Sequence, residues 1–313
     1  MVQPPVTGVP VAKEFTLYWS NLEAYEKCPQ YFLWNRGWGT IDTGGGPGKR
    51  KPKPVKDSRH HALMGIVIQK VIERMYNDEL WKTPVGLTER LLEMVRKEFN
   101  YEVSTSYIDW RLSPPKAELL KVCEDGVRGF LKTLKGQKLL GTYARAEVEL
   151  LGYVNKYTPV GGRADLIIRR DDTGLSIIDG KNGKEKGKYT TPDQLRWYAL
   201  CYYLAYGKLP DRVGFAYYRF PYGMPKADGT VEEGVDWMPV TRPDIEGLAK
   251  RAVDARKAMD KEKFEPTPSP QACKFCDYET VCDARKAQKA ANSRGKKKAG
   301  DSEIGDGFVD LKM

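Results

Sequence analysis

Two clusters of side chains in this 313-residue sequence are equipped for chemistry. The first lies in GGRADLIIRRDDTGLSIIDGKNG (161–183), where Asp165, Asp179 and Lys181 interrupt apolar runs. Two carboxylates beside an ammonium are what metal-assisted phosphodiester hydrolysis requires. Mg²⁺ or Mn²⁺ takes oxygen ligands, polarises a phosphoryl oxygen and lowers the pKa of an attacking water. The lysine orients that water or offsets the charge that develops. An ordinary salt-bridged hairpin would carry the same Asp-x-Lys, so spacing alone does not separate the two readings. The setting favours chemistry, because a charge set between Ala164 and Leu166, or between Ile178 and Gly180, is costly unless it binds something.

The second cluster is QACKFCDYETVCD (271–283), with Cys273, Cys276 and Cys282 within a dozen residues. Of the six cysteines, Cys123 and Cys201 sit inside apolar helical patterns and read as packing residues. Cys28, in YEKCPQYF, is then the candidate fourth ligand. Zn²⁺ in a Cys₄ site and a four-iron cluster satisfy this spacing equally. Either would tie the first helix to the C-terminal segment, closing a very long loop and stabilising the fold through lost unfolded-state entropy.

The elements that must position these groups follow from periodicity and punctuation. DDTG between two β-rich runs predicts a hairpin. A loop of Asp172-Thr173-Gly174, with Gly174 left-handed, sets Asp165 opposite Lys181 and diagonal to Asp179, all on one face; a two-residue loop would put Asp165 on the other face. TTPDQLRWYALCYYLAYG predicts a helix with Thr191 as N-cap, Pro192 in its first turn and Gly207 at its end. Gln194 and Tyr198, four apart on that helix, share a face; Gln194 would equally close a capping box with Thr191, and Tyr198 would equally pack in the core. Further helices are expected over WSNLEAYEKCPQYFLW, with Ser20 as N-cap and Pro29 as a break, over HHALMGIVIQKVIERMYND, which should be largely buried, and over about 87–100, 115–135 and 243–263. Strand signals mark YARAEVELLGYV, GGRADLIIRR, GLSIIDGK and RVGFAYYRF. Helices, three strands, a helix, a strand and a helix suit an α/β (α+β) domain with a mixed central sheet.

With 52 Lys and Arg against 42 Asp and Glu, the chain carries a net charge of +10. That suits a polyanionic partner, though GKRKPKPVK and RGKKKAG would serve solubility as well. No apolar run approaches a membrane span of about 20 residues, and MVQPPVTGVPVAKEF lacks a signal peptide's apolar core, so a cytoplasmic protein is expected.

Together, WSNLEAYEKCPQYFLW, MGIVIQKVIE, GGRADLI, IIDGKNG, QLRWY and CKFCDYETVC resemble the PD-(D/E)XK nuclease superfamily. Within it they resemble the RecB-like exonucleases that carry an iron–sulfur cluster, a group that includes a CRISPR-associated exonuclease family and phage-borne relatives. The resemblance covers about residues 16–283 and implies a restriction-endonuclease-like domain over 14–285. Its cysteine subdomain would be built from about 16–36 and 264–285, with flexible segments at 1–13 and 39–57 and a disordered tail at 286–313. By that likeness Asp165, Asp179 and the Gly180 carbonyl hold Mg²⁺ or Mn²⁺, and Lys181 assists the water. Gln194 and Tyr198 steady the site, and Glu147 or Glu149 holds a second ion. Cys28, Cys273, Cys276 and Cys282 bind [4Fe–4S], with zinc as the runner-up.

The chain departs from the pattern at one place. The family helix carries a metal-binding histidine four residues after its glycine, and here Gly65 is followed by Gln69, which offers only an amide to an ion or its water. His60 and His61 lie upstream and read as surface residues. The expected function is a metal-dependent exonuclease acting on single-stranded DNA or duplex ends, in the host cytoplasm if phage-encoded. Trp197, Tyr198 and Tyr202 would line a stacking channel, and recombination or adaptation proteins are candidate partners. The alternatives are a non-catalytic nucleic-acid-binding module keeping the Cys₄ staple, and a zinc-stabilised scaffold for a protein partner.

Overall fold

The computed structural model describes residues 15–36, 60–106, 108, 110–139, 143–187, 190–274, 276, 278–280 and 282–300, with backbone alone at 36 and 292–300. The stretches expected to be flexible at 1–13 and 39–57 lie outside these residues. The chain divides into two compact units, one of Met1–Trp19 with Val55–Arg256, the other of Ser20–Pro54 with Lys257–Met313. The cysteine-bearing segments from both ends of the chain, expected to form a subdomain of the domain over 14–285, fall in the second unit.

The first unit is a mixed six-stranded sheet flanked by helices, as the sequence led us to expect. A meander of β2 (Tyr143–Asn155), β3 (Thr158–Arg170) and β4 (Gly174–Lys181) is antiparallel. Helix α6 (Pro192–Tyr206) then crosses over to β5 (Arg212–Tyr217), which lies parallel to β4. Two strands were not legible in the sequence: β1 (Leu17–Tyr18), parallel to β3, and β6 (Val235–Met238), antiparallel to β5. Both are too short to show alternation, and pairing with a neighbour creates them.

One face of the sheet, with Leu166, Ile168, Ile178 and Ala216, packs on α3 (His60–Asn77), α4 (Leu87–Thr105) and α5 (Lys116–Gly136) in a continuous apolar core. Val67, Ile68, Val71, Ile72 and Met75 of α3 are each at most 3% exposed, so the helix is buried as expected. At about 2 kcal/mol per buried aliphatic side chain, this stripe anchors α3 firmly over the sheet. His60, expected on the surface, is buried at the start of α3, while His61 is exposed. Helix α6 starts and stops as anticipated: Pro192 opens it and Gly207 closes it at φ +72°. Cys123 and Cys201 are fully buried packing residues. No described helix is long and apolar enough to cross a membrane.

The second unit joins α1 (Trp19–Lys27, from Ser20 on) and α2 (Pro29–Arg36) to α8 (Pro270–Lys274), α9 (Asp283–Gly300) and the end of α7 (Arg242–Asp260). Pro29 ends α1 and begins α2, the redirection expected of it. Ser20, expected to cap α1, lies inside its first turn. An aromatic cluster holds the unit: Tyr25 meets Phe32 and Phe264 edge-on, and Trp34 meets Tyr278 at 5.2 Å. Tyr25 Oη donates to the Lys263 carbonyl at 2.8 Å, and Tyr278 Oη to the Trp34 carbonyl at 3.1 Å. Residues 286–300, expected within a disordered tail, are helical, because DARKAQKAANSRGKKKAG is rich in good helix formers; residues 301–313 lie outside the described residues.

Candidate active site

The chemistry-bearing strands separate where the carboxylates sit. β3 and β4 pair from Arg170↔Gly174 up to Leu166↔Ile178, and there the ladder ends. One more step of the same register sets Asp165 against Asp179. The connecting loop is Asp171-Asp172-Thr173, with Gly174 at φ +66°. It is one residue earlier than the expected Asp172–Gly174 loop, so Asp165 faces Asp179 rather than Lys181. Both loops have three residues, so the side-chain parity is preserved and Asp165, Asp179 and Lys181 still share one face. Beyond the fork β4 pairs only with β5, through Asp179↔Phe215 and Lys181↔Tyr217. Asp165 bridges the opening from its side chain, its Oδ2 accepting the Gly180 amide at 2.8 Å.

Helix α6 closes that face. Gln194 Nε2 donates to Asp179 Oδ1 at 3.0 Å, and its Oε1 accepts from Lys181 Nζ at 3.0 Å. The Gln194 side chain is thus spent on the site, and no side chain caps α6. Tyr198, 9% exposed, both packs and reaches inward, with its hydroxyl 3.3 Å from Gln194 Nε2 and 3.5 Å from Asp179 Oδ1. Lys181 Nζ lies 2.5 Å from Asp179 Oδ2 and 5.3 Å from the centre of the Phe215 ring. Its ammonium is held between a carboxylate, an amide oxygen and an aromatic face.

Across β3 the third carboxylate is Glu147. The pairs Ala146↔Leu166 and Val148↔Ala164 bracket it against Asp165, and it takes a left-handed backbone at φ +53°. The register is the same on both sides of it, so the distortion is local to this one residue and inserts no bulge. Asn77 at the end of α3 braces the distortion, donating to the Ala146 carbonyl at 3.2 Å and accepting its amide at 3.1 Å. Glu147 is gripped by Arg163 at 2.6 Å and by Gln69 Nε2 at 2.9 Å. Gln69 in turn accepts from the Tyr218 hydroxyl at 2.8 Å. The glutamine therefore acts as a hydrogen-bond bridge that steers Glu147, with Tyr218 fixing which end of the amide faces the carboxylate. Glu149, the other candidate, is exposed and paired beside Arg163, farther along β2.

The site is electrostatically tense. Burial, and then the charge of Asp179, hold the Asp165 carboxyl well above the usual carboxylate range. Burial also raises Asp179, with Lys181 opposing. Burial, followed by the charges of Asp179 and Asp165, pushes the Tyr198 phenol up. Among the described residues no three acidic, His or Cys side chains converge tightly enough to hold an ion as they stand. The reason is visible: Arg163 and Gln69 engage Glu147, the Gly180 amide engages Asp165, and Lys181 engages Asp179. The donor set nevertheless fits a hard divalent cation, being all carboxylate oxygen. Asp179 Oδ2 is buried against the Lys181 ammonium, and an ion would take over that acceptor from the lysine. Gln69, Asp165, Gly180 and Tyr218 also border a cavity of about 10 Å³ whose other walls are the apolar Ile72, Phe130, Leu166, Ile178 and Ala216.

A family model for the PD-(D/E)XK nuclease superfamily matches residues 18–283, most of the chain. The chain belongs to the PD-(D/E)XK nuclease superfamily. No curated protein matches it. Among solved structures, one described as "Crystal structure of SSO0001" is similar at 16% identity, covering 71% of this chain and 85% of the other, with a TM-score of 0.32. Superfamily nucleases act on DNA and typically use Mg²⁺ or Mn²⁺, in keeping with the oxygen donors gathered here.

Elsewhere in this nuclease the expectations fare unevenly. The aromatics proposed for a stacking channel are core residues instead. Trp197 is 0% exposed, donating from Nε1 to the Gly161 carbonyl at 2.9 Å and lying 6.2 Å from Trp19, and Tyr202 is 7% exposed. An apolar helix packed on a sheet buries its aromatics whatever their stacking capacity. In the second unit Cys28, Cys273, Cys276 and Cys282 line one small cavity of about 20 Å³ with Gln30, Tyr31 and Trp34. Burial, followed by the neighbouring Cys273, Cys28 and Cys282, pushes the Cys276 thiol up. The four thiols share this cavity without forming a liganding group, and the Cys282 thiol instead donates to Gln30 Oε1 at 3.6 Å. The sequence reading missed Arg163, Asn77 and Tyr218. The first stands inside the GGRAD motif and was legible there; the other two act through register and packing, which leave no local mark.

Proposed function

We propose that this chain is a divalent-metal-dependent DNA exonuclease. The observation that carries the reading is the forked strand pair: Asp165 and Asp179 face each other at its mouth, and Lys181 is held by Gln194 two residues on. Asp165 and Asp179, with Glu147 and the Gly180 carbonyl, would hold Mg²⁺ or Mn²⁺. When bound, the ion supplies Lewis acidity at the phosphoryl oxygen and a more acidic water. Lys181 offsets negative charge as it develops on the phosphate, and Gln194 keeps the ammonium from swinging away. Phe215 presents its ring face to the same ammonium, 5.3 Å from its centre.

End-dependence is tested with labelled linear and circular single-stranded DNA in Mg²⁺ or Mn²⁺. Linear DNA should be degraded and circular DNA spared, and Asp179→Ala and Lys181→Ala should each lower the rate at least about 10²–10³-fold. Cleavage of circles at the same rate would make it an endonuclease. Binding without any cleavage by the wild type would point to the non-catalytic module, in which the carboxylates keep their internal partners.

We further propose that Cys28, Cys273, Cys276 and Cys282 carry a structural metal centre. A [4Fe–4S] cluster is preferred on the motif resemblance, with a single Zn²⁺ as the runner-up; either would require the four thiols to draw together from their present positions. Protein prepared without oxygen should contain about four iron atoms and absorb near the thiolate–iron region, or else one zinc. Cys276→Ala should lose the metal and lower the unfolding midpoint together. An unchanged metal content and midpoint in that variant would remove the centre from the account.

A further inference from the structure

We propose that the cleft between α5 and the turn Tyr218–Pro225 is a strand-binding subsite that seats one nucleotide of the substrate beside the carboxylates; this rests on the nuclease reading above. The cleft encloses about 500 Å³, within the range of about 300–1,000 Å³ typical of ligand pockets. Tyr218 is the wall it shares with the active site: its hydroxyl is on Gln69 over Gly180, while its Cβ lies beside Gly126 on the cleft side. Arg219 lines the cleft and donates from Nε to Asn182 Oδ1 at 3.3 Å. Asn182 directly follows Lys181, so this guanidinium is tethered one residue from the ammonium assigned to the chemistry.

The lining matches a nucleotide in charge and shape. Arg219 and Lys132 form no ion pair among the described residues; the guanidinium meets only neutral acceptors, Asn182 Oδ1 and, through Nη2 at 3.8 Å, Met64 Sδ, so both charges remain for phosphate. The cleft's one carboxylate, Asp125, is already neutralised by Lys121 at 2.8 Å and Arg128 at 3.4 Å. Tyr222 and Met224 remain 39% and 40% exposed in the same cleft. The Tyr222 ring is fixed in advance: its amide donates to Thr133 Oγ1 at 3.0 Å, and a Cβ on Gly136 would come within 2.2 Å of it. A part-exposed aromatic that shares one cleft with two cations free of ion pairs is a platform on which a base stacks while its phosphates are held.

The test uses a linear oligodeoxynucleotide carrying one 5-iododeoxyuridine, with Ca²⁺ in place of Mg²⁺. Irradiation should cross-link the strand to residues 218–225. Tyr222→Ala should weaken strand binding at least about 5-fold, and Lys132→Glu should weaken it and flatten its salt dependence by about one ion. Tyr222→Phe should bind as the wild type does. Lys132 is exposed on its helix, so its variant decides the matter if Tyr222→Ala fails to fold. A free mononucleotide competing as well as the strand would make the cleft a product site and overturn the strand assignment. Wild-type binding with cross-links only elsewhere and both variants unaffected would overturn the subsite alone. A wild-type chain that binds no DNA overturns the nuclease reading, and the subsite with it.

Discussion

Asp165→Asn should abolish cleavage and at the same time raise the melting temperature of the metal-free protein. The asparagine keeps an oxygen for the Gly180 amide, which Asp165 accepts at 2.8 Å, so the local geometry survives. It removes a charge that burial disfavours and that Asp179, one step beyond the end of the ladder, opposes. A gain on the order of 1–2 kcal/mol follows from removing one such group, or roughly 2–8 °C in the midpoint. Loss of a metal-binding carboxylate should cost at least about 10²–10³-fold in rate.

The pH dependence has a definite sign. Asp165 titrates higher in the folded chain than in the unfolded one, so the folded state binds the extra proton. Its stabilising contribution is complete below the unfolded value, about pH 4, and is lost as pH rises towards the folded value. The advantage of Asp165→Asn should therefore vanish in acid and grow towards neutrality. Mg²⁺ or Mn²⁺ should reverse the order at neutral pH by stabilising the wild type alone. Thermal melts of both proteins across pH, with and without metal, read all of this. A variant that is less stable than the wild type at neutral pH, or equally offset at every pH, would show that the carboxylates do not oppose each other.

Gly180→Ala should damage the site through packing rather than charge. A Cβ at Gly180 would fall 1.8 Å from the Tyr218 hydroxyl and 2.5 Å from the ring carbon that bears it. Tyr218 is 4% exposed and wedged against α5, so it has little room to yield. Overpacking of this kind costs about 1–3 kcal/mol. Displacing the phenol also releases Gln69, and through it Glu147, so activity should fall about 10²-fold. Tyr218→Phe added to Gly180→Ala should recover part of the stability and none of the Gln69 alignment. The recovery is partial because the ring carbon still intrudes. Denaturant unfolding of the two single variants and the double variant measures the coupling; strictly additive losses would mean that the two residues do not meet.

How much of this was legible beforehand depended on whether a signal was local. Asp165, Asp179 and Lys181 stood out because charge inside an apolar strand is visible in a few residues. The three-residue loop put them on one face, although the turn began at Asp171 and the opposing partner changed. Gln194 was ambiguous because capping and site roles demand the same residue at the same offset, and only the position of α6 over β4 chose between them. The buried Trp197 and Tyr202 misled, since an aromatic helix face reads alike whether it meets DNA or a sheet.

By itself the sequence determined the element types, the identity of the acidic hairpin, the ends of α6 and the membership of a nuclease superfamily. These depend on side-chain chemistry, alternation and capping, all of which are set within a few residues. Tertiary structure alone decided that Glu147 rather than Glu149 stands beside Asp165, and that Gln69 steers a carboxylate. It also decided that the phenol of Tyr218 leaves room only for glycine at 180. Those outcomes depend on residues 78 and 149 positions away from Gln69 meeting at sub-ångström tolerance, and close packing of distant segments is what imposes that tolerance.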